Sequence, residues 1–169
     1  MAAIYRVYNG NTAALTAAMA PVATGTTLKT MLQLSPKTGV DLKIKAWGAS
    51  FDGSAAATPG KVELIETDVA ATVTTLATGD VLRKNNPGGP AADSALITLG
   101  TANSGFTASA EGTITATRLF DYQLIAPTNQ WYFQEVLGNE SILQAGKFLR
   151  IRVTFGTTIN MVCWIEFEA

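Results

Sequence analysis

Histidine is absent from this 169-residue chain. That absence removes the commonest general base, the usual base of a nucleophilic triad and the commonest zinc ligand, so most familiar hydrolase chemistry is excluded. One cysteine, Cys163, closes no disulfide within the chain and builds no cysteine metal cluster. Charge is scarce as well: 15% of residues are Asp, Glu, Lys or Arg, where a soluble domain averages about 25%. Twelve basic and thirteen acidic residues nearly cancel, leaving a net charge of -1. Nothing therefore favours a polyanion, and nucleic acid is not expected as a partner. Apolar runs stay far below the ~20 residues that cross a bilayer. The opening Met1-Ala2-Ala3-Ile4-Tyr5-Arg6 lacks the basic-then-apolar order of a secretory signal. Neither a membrane span nor export is expected. What the chain does hold is 47% hydrophobic residues, and so much apolar side chain with so little charge suits a surface partly covered by a protein partner.

Period two dominates the pattern. Leu149, Ile151, Val153 and Phe155 alternate with Arg150, Arg152 and Thr154, as in a half-buried strand. After Gly156-Thr157-Thr158 the alternation resumes, with Ile159, Met161, Cys163, Ile165 and Phe167 on one face and Asn160, Val162, Trp164, Glu166 and Glu168 on the other. Together these predict a C-terminal hairpin. Val40, Leu42, Ile44 and Ala46 alternate with Asp41, Lys43 and Lys45, and the parity then switches to Ala49 and Phe51. The switch predicts a bulge near Trp47-Gly48. Further strands are expected over Ile4 to Asn9, Thr27 to Leu34, Lys61 to Thr67, Thr113 to Ile125 and Trp131 to Val136, all rich in β-branched and aromatic residues. Turn clusters such as Ser35-Pro36-Lys37-Thr38-Gly39 and Asn85-Asn86-Pro87-Gly88-Gly89-Pro90 punctuate them. The expected fold is all-β: an antiparallel, jelly-roll-like β-sandwich of about eight strands forming one domain over residues 1–169. Residues 2–25 read as an N-terminal arm or edge strand plus linker. Within them, Thr12 to Ala20 is open to a short helix or to none. Residues 78–107 read as a long middle loop, with Ala95 to Leu99 as a possible short strand, and a loop of this length is usually functional or ordered by a partner.

Little in the chain points to catalysis. Asp52, Asp68, Asp80, Asp93 and Asp121 fall outside the spacing of a calcium loop and read as turn or rim residues. Glu166 and Glu168 share one face of a strand, as acids on any solvated sheet face do. The glycines of Gly100 to Gly105 do not lie between a strand and a helix, so they do not read as a phosphate loop. Cys163 reads as a small buried hydrophobe. No enzyme, cofactor or metal is expected. The aromatic residues Trp47, Trp131, Tyr132, Phe133 and Trp164 suit either core packing or a contact platform for a protein or a carbohydrate. Trp164 falls opposite the apolar row, which favours an interface. The residues taken as partner-binding are Trp131, Tyr132 and Trp164, together with Tyr5, Arg6 and Tyr8. The last three lie in a first segment that either adds to a neighbour's sheet or forms the first strand of its own.

The segments Ala46-Trp47-Gly48-Ala49-Ser50-Phe51-Asp52-Gly53 and Val62-Glu63-Leu64-Ile65-Glu66 resemble small β-sandwich structural proteins on tailed-bacteriophage heads. The resemblance runs on through Ser109-Ala110-Glu111-Gly112, Thr117-Arg118-Leu119, Trp131-Tyr132-Phe133, Leu149 to Thr154 and Trp164-Ile165-Glu166-Phe167-Glu168, and covers about Leu28 to Glu168. The longer middle segment and Gly112, in place of a proline turn, depart from it. The resemblance implies a capsid decoration, or cement, protein on the virion's exterior. Such a protein is made in the host cytoplasm, is often a homotrimer, and bridges subunits of the major capsid protein. The other reading carried forward is a receptor- or carbohydrate-binding module of a phage head or tail fibre, with Trp131, Tyr132 and Trp164 lining the platform.

Overall fold

The computed structural model describes residues 2–86 and 88–168; Met1, Ala169 and Pro87 of the predicted turn cluster lie outside the described residues. In chain order the strands are β1 (Ile4–Tyr8), β2 (Val22–Ala23), β3 (Lys29–Leu34), β4 (Leu42–Phe51), β5 (Gly60–Thr67), β6 (Thr72–Thr75) and β7 (Leu82–Arg83). There follow β8 (Gly105–Ala110), β9 (Thr117–Ile125), β10 (Gln130–Gln134), β11 (Ile142–Leu143), β12 (Phe148–Thr154) and β13 (Asn160–Glu168). A 3-10 turn at Thr78–Asp80 is the one helical element among the described residues. Thr12 to Ala20 forms no helix, in keeping with the closing Pro21 and the threonines within it.

The strands form two antiparallel sheets, so the protein is an all-β sandwich. The first runs β10-β4-β13-β1-β7, with β11 added to β4 and β2 to β13; the second runs β6-β8-β3-β12-β5-β9. Between them lies one continuous apolar cluster, to which β4 and β13 give Leu42, Ile44, Trp47, Met161, Cys163, Ile165 and Phe167. From the second sheet come Leu32, Leu34, Val62, Leu64, Leu149, Ile151 and Val153.

The predicted C-terminal hairpin is not formed. β12 sits inside the second sheet between β3 and β5, whereas β13 sits inside the first between β4 and β1. Phe155 and Ile159 flank the exposed Gly156-Thr157-Thr158 and are both buried, so the chain arches over the end of the core from one sheet to the other. β12 is also buried on both faces, unlike the half-buried strand its alternation predicts. Arg150 bonds Glu111 and the Val69 carbonyl, and the Arg152 Nε donates to Glu63 at 2.7 Å. These partners cover what the alternation suggests is a solvated face.

The bulge in β4 falls two residues ahead of the expected site. Glu166 pairs with Ala46 and Phe167 with Ile44, leaving Lys45 as the extra residue. The switch it makes turns Trp47 into the core, at 1% exposure. β1 is an internal strand, paired along its length with β13 and capped by the two-residue β7. The long segment from Thr78 to Thr107 is tied down by its own chain. Asp80 accepts the backbone N–H groups of Thr12, Ala13 and Ala77, Tyr5 donates to Asp93, and the Ser35 N–H donates to Ser104. Ala95 to Leu99 makes isolated bridges to Pro36 and Ser104 and no strand.

Candidate interaction surface

The outer face of the first sheet gathers four of the six residues singled out from sequence. Register alone places Tyr8, Trp164, Gly48 and Tyr132 in one row across β1, β13, β4 and β10. Gly48 makes this row possible: a Cβ there would lie 2.7 Å from Cζ2 and 2.9 Å from Nε1 of Trp164. The missing side chain lets the indole lie down on the sheet. Tyr132 meets it at 5.6 Å between ring centroids, tilted by 44°, and the Arg6 guanidinium carbon stands 4.2 Å from the indole centroid. Both contacts are attractive for an aromatic quadrupole.

Arg6 is held from three sides. Its Nε and Nη2 donate to Oε1 of Glu166 at 2.8 and 2.6 Å, and Nη1 donates to the Tyr8 hydroxyl at 3.1 Å. Burial works against its charge, yet the Tyr8 and Glu166 bonds outweigh it and raise its pKa above the ordinary value. Lys84 approaches the same Glu166 oxygen at 3.4 Å. Along the sheet, Lys45 bridges Glu140 at 2.6 Å and Glu168 at 3.0 Å. The acids that read from sequence as a free solvated row are thus in ion pairs.

The other two sequence-predicted residues face inward. Tyr5 is buried, stacks on Phe167 at 5.5 Å and donates to Asp93 at 3.2 Å. The period of two puts it opposite Arg6 and Tyr8, so it is a core residue. Trp131 is half-buried against the core and its Nε1 donates to Asp121 at 3.2 Å, joining β10 of one sheet to β9 of the other. A shallow depression of about 320 Å³ lies where Ser50, Gln130, Trp131, Tyr132 and Trp164 meet.

Exposed apolar side chains extend beyond the residues singled out from sequence. Among the described residues, seven of the nine exposed large hydrophobic side chains fall between Leu119 and Leu137: Leu119, Tyr122, Leu124, Tyr132, Phe133, Val136 and Leu137. They lie on β9, on β10 and on the turn after β10. β9 and β10 are the outermost strands at one edge of their sheets, where the Trp131–Asp121 bond joins them, but their exposed rings point apart. Tyr122 pairs with Glu63 on the outer face of the second sheet, whereas Tyr132 lies beside Trp164 on the outer face of the first. The signal available in sequence is Val136-Leu137 directly before Gly138: two aliphatics at a turn with no core to enter.

That turn is braced rather than loose. Asn139 N–H donates to the Val136 carbonyl at 2.9 Å, Gly138 N–H to Glu140 at 3.0 Å, and the Ser141 hydroxyl to Glu135 at 2.9 Å. Gly138 takes φ of 87°, a conformation that suits glycine. The Lys45 hydrogen bond holds the Glu140 carboxyl down to about 2. Leu137 at 86% exposure and Val136 at 71% therefore project from a fixed scaffold. The chemistry open to this turn is association through apolar contact.

Searches of protein-family models, curated proteins and solved structures found no match to this chain.

Proposed function

We propose that this chain is a non-enzymatic virion structural protein that binds the outside of an assembled phage capsid. In this reading it acts as a homo-oligomer, with a trimer favoured, and bridges subunits of the major capsid protein. The single observation that carries the reading is the pair Val136 and Leu137, held out in solvent on the braced turn after β10 of a two-sheet body. Large aliphatic side chains held out in water on a fixed turn suit a protein contact. The likeness of the Ala46 to Gly53 and Trp164 to Glu168 segments to phage head proteins supplies the partner. Binding only the assembled shell stabilises it by RT ln(1 + [L]/Kd) per site, so small gains add up over a lattice. The test is co-sedimentation of purified protein with emptied or expanded capsids. Saturable binding with raised shell stability is expected, and a protein that ignores shells in every state overturns the proposal.

A second reading, glycan binding by a head or tail-fibre module, draws on the depression between Ser50, Gln130, Tyr132 and Trp164. There Tyr132 offers an exposed ring and Gln130 an amide. Arg6 already occupies the Trp164 ring, so this reading expects weak binding that Tyr132→Ala abolishes on a glycan array. An array without hits removes it.

A further inference from the structure

β10 ends the first sheet as an open edge of regular geometry. Its register against β4 runs from Gln130–Ser50 to Gln134–Ala46 without a shift. The Gly53 N–H donates to the Pro127 carbonyl at 2.7 Å and the Glu135 N–H to the Lys45 carbonyl at 2.8 Å, so the odd-numbered residues turn their backbone groups toward β4. In an antiparallel ladder the residues between them turn theirs away. The N–H and C=O groups of Gln130, Tyr132 and Gln134 therefore point off the sheet, and among the described residues none of these groups has a hydrogen-bond partner.

The other sheet ends are guarded. β7 is two residues long, β6 shifts register twice within four residues, and β9 carries a bulge at Phe120. β10 has none of the usual protections: no bulge, no proline and no charge. Its sequence Gln-Trp-Tyr-Phe-Gln also reads nearly the same in both directions. A second β10 laid antiparallel about Tyr132 faces Gln130 with Gln134, Trp131 with Phe133, and Tyr132 with its own counterpart. The facing pairs at Gln130, Tyr132 and Gln134 each exchange two backbone hydrogen bonds, and the Trp131–Phe133 pairs fall at the closely spaced positions where side chains meet best. Phe133, exposed in the single copy, gains an aromatic partner. The same register carried onward sets Val136 opposite Thr128, so the braced turn of each copy lies beside the turn from Ala126 to Asn129 of the other.

We infer that β10 pairs antiparallel with β10 of a second copy, centred on Tyr132, and joins the first sheets of two molecules into one. The contact is isologous, and a two-fold axis closes it at a pair. No residue of β10 faces a charge across it, and the strand is already fixed on β4, so neither repulsion nor much ordering opposes the contact. The inference goes beyond the capsid reading and does not rest on it: the contact links two copies, or two trimers, edge to edge.

The experiment reads register on the full chain. Gln130→Cys, Tyr132→Cys and Gln134→Cys are made at exposed positions, and the buried Cys163 gives no background. A short bis-maleimide is expected to link Tyr132→Cys to itself, and Gln130→Cys to Gln134→Cys in a mixture. Gln130→Cys alone is expected to stay unlinked, because its two copies lie about 14 Å apart along the strand. Links in Gln130→Cys alone that match the mixture, or none in any preparation, overturn the contact. Independently, Gln130→Lys/Gln134→Lys sets like charges opposite each other twice and is expected to weaken pairing by roughly 10-fold in sedimentation equilibrium. An equal mixture with Gln130→Glu/Gln134→Glu opposes unlike charges and is expected to regain it. A lysine variant that pairs as well as the parent, a mixture that does not recover, or a parent that stays monomeric at every concentration overturns the inference. Capsid co-sedimentation keeps the two ideas apart: shell binding that persists where pairing fails rejects this contact alone.

Discussion

Gly60 opens β5, and a side chain there has nowhere to go. A Cβ at this position overlaps the ring edge of Phe155, which is itself 2% exposed and wedged against Phe51 at 5.0 Å. Gly60→Ala therefore overpacks a site whose neighbour has no route out. Overpacking of this kind costs about 1–3 kcal/mol, and relief of the glycine's entropy in a strand returns about 0.5–1 kcal/mol. The overlap is deep and Phe155 is enclosed, so the cost lies near the top of its range and the net loss is about 2 kcal/mol. With a urea slope of about 1–3 kcal/mol/M, the unfolding midpoint drops by roughly 1 M. Phe155→Leu removes the offending ring edge and costs about 1–2 kcal/mol on its own as a large-to-small change. In the double variant the alanine methyl enters the space vacated by the ring, so the two losses sum to at least about 1 kcal/mol less than additivity. Urea denaturation of all four proteins closes the cycle. A Gly60→Ala protein within about 0.5 kcal/mol of the parent, or an additive cycle, refutes the claim that the arch at Phe155 is fixed by the absence of a side chain at Gly60.

The buried Arg150 donates to Glu111 and to the Val69 carbonyl, while Thr30 binds the same Glu111 carboxylate. Arg150→Met strands a carboxylate that is only partly exposed and lowers stability by about 2–4 kcal/mol, read as a thermal or urea midpoint. Glu140 titrates at about 2 in the folded chain, against an ordinary 4.5. A depressed carboxylate stabilises above its unfolded pKa, so the bracing of the 136–140 turn is complete above pH 4.5 and is lost as pH falls toward 2. Backbone exchange at Gly138 is expected to lose protection across that window in the parent but not in Glu140→Gln, where protection is low throughout. Asp80→Asn replaces an acceptor facing three backbone N–H groups. The variant is expected to lose about 1–3 kcal/mol, with faster exchange at Thr12 and Ala13.

The eight expected strands, three read from alternation and five from β-branched and aromatic content, are all present, because a sandwich strand with one face in the core repeats its apolar residues every second position. Five further strands, β2, β6, β7, β8 and β11, carry no such signal and go unexpected. Partner choice was harder to read. Gly156-Thr157-Thr158 has the composition of a hairpin turn, but its role is set by Phe155 and Ile159 on either side. Whether two such residues pull the chain over the end of the core depends on which strands already flank β12 and β13, and those strands come from residues about 80 to 160 positions away. The alternation of Arg150 and Arg152 misled for the same reason. An arginine on a strand face signals solvent only until Glu63 and Glu111 arrive from elsewhere to neutralise it.

The candidate surface divides along the same line. Arg6, Tyr8, Tyr132 and Trp164 were legible because facing follows from parity within a strand, and the row they form needs only register to assemble. Parity applied within β1 would equally have set Tyr5 apart from Arg6 and Tyr8. Trp131 shares its residue type with the outward aromatics but not their face, because adjacent strand residues point to opposite faces and Tyr132 points outward. The exposed apolar side chains were the least legible part. Leu119, Leu124 and Leu137 look like core residues by composition, and only the position of β9 and β10 at the ends of their sheets leaves them uncovered. An edge strand lacks the neighbour that would bury its outward apolar side chains. The bulge at Phe120, where Asp121 pairs with Leu64 and Leu119 with Ile65, disturbs the regular hydrogen-bonding edge that another strand would need. β9 therefore discourages backbone addition while keeping its apolar side chains available. On this strand that combination favours docking by side-chain knobs over sheet extension, and it makes Leu137 a better target for disruption than any backbone position on β9.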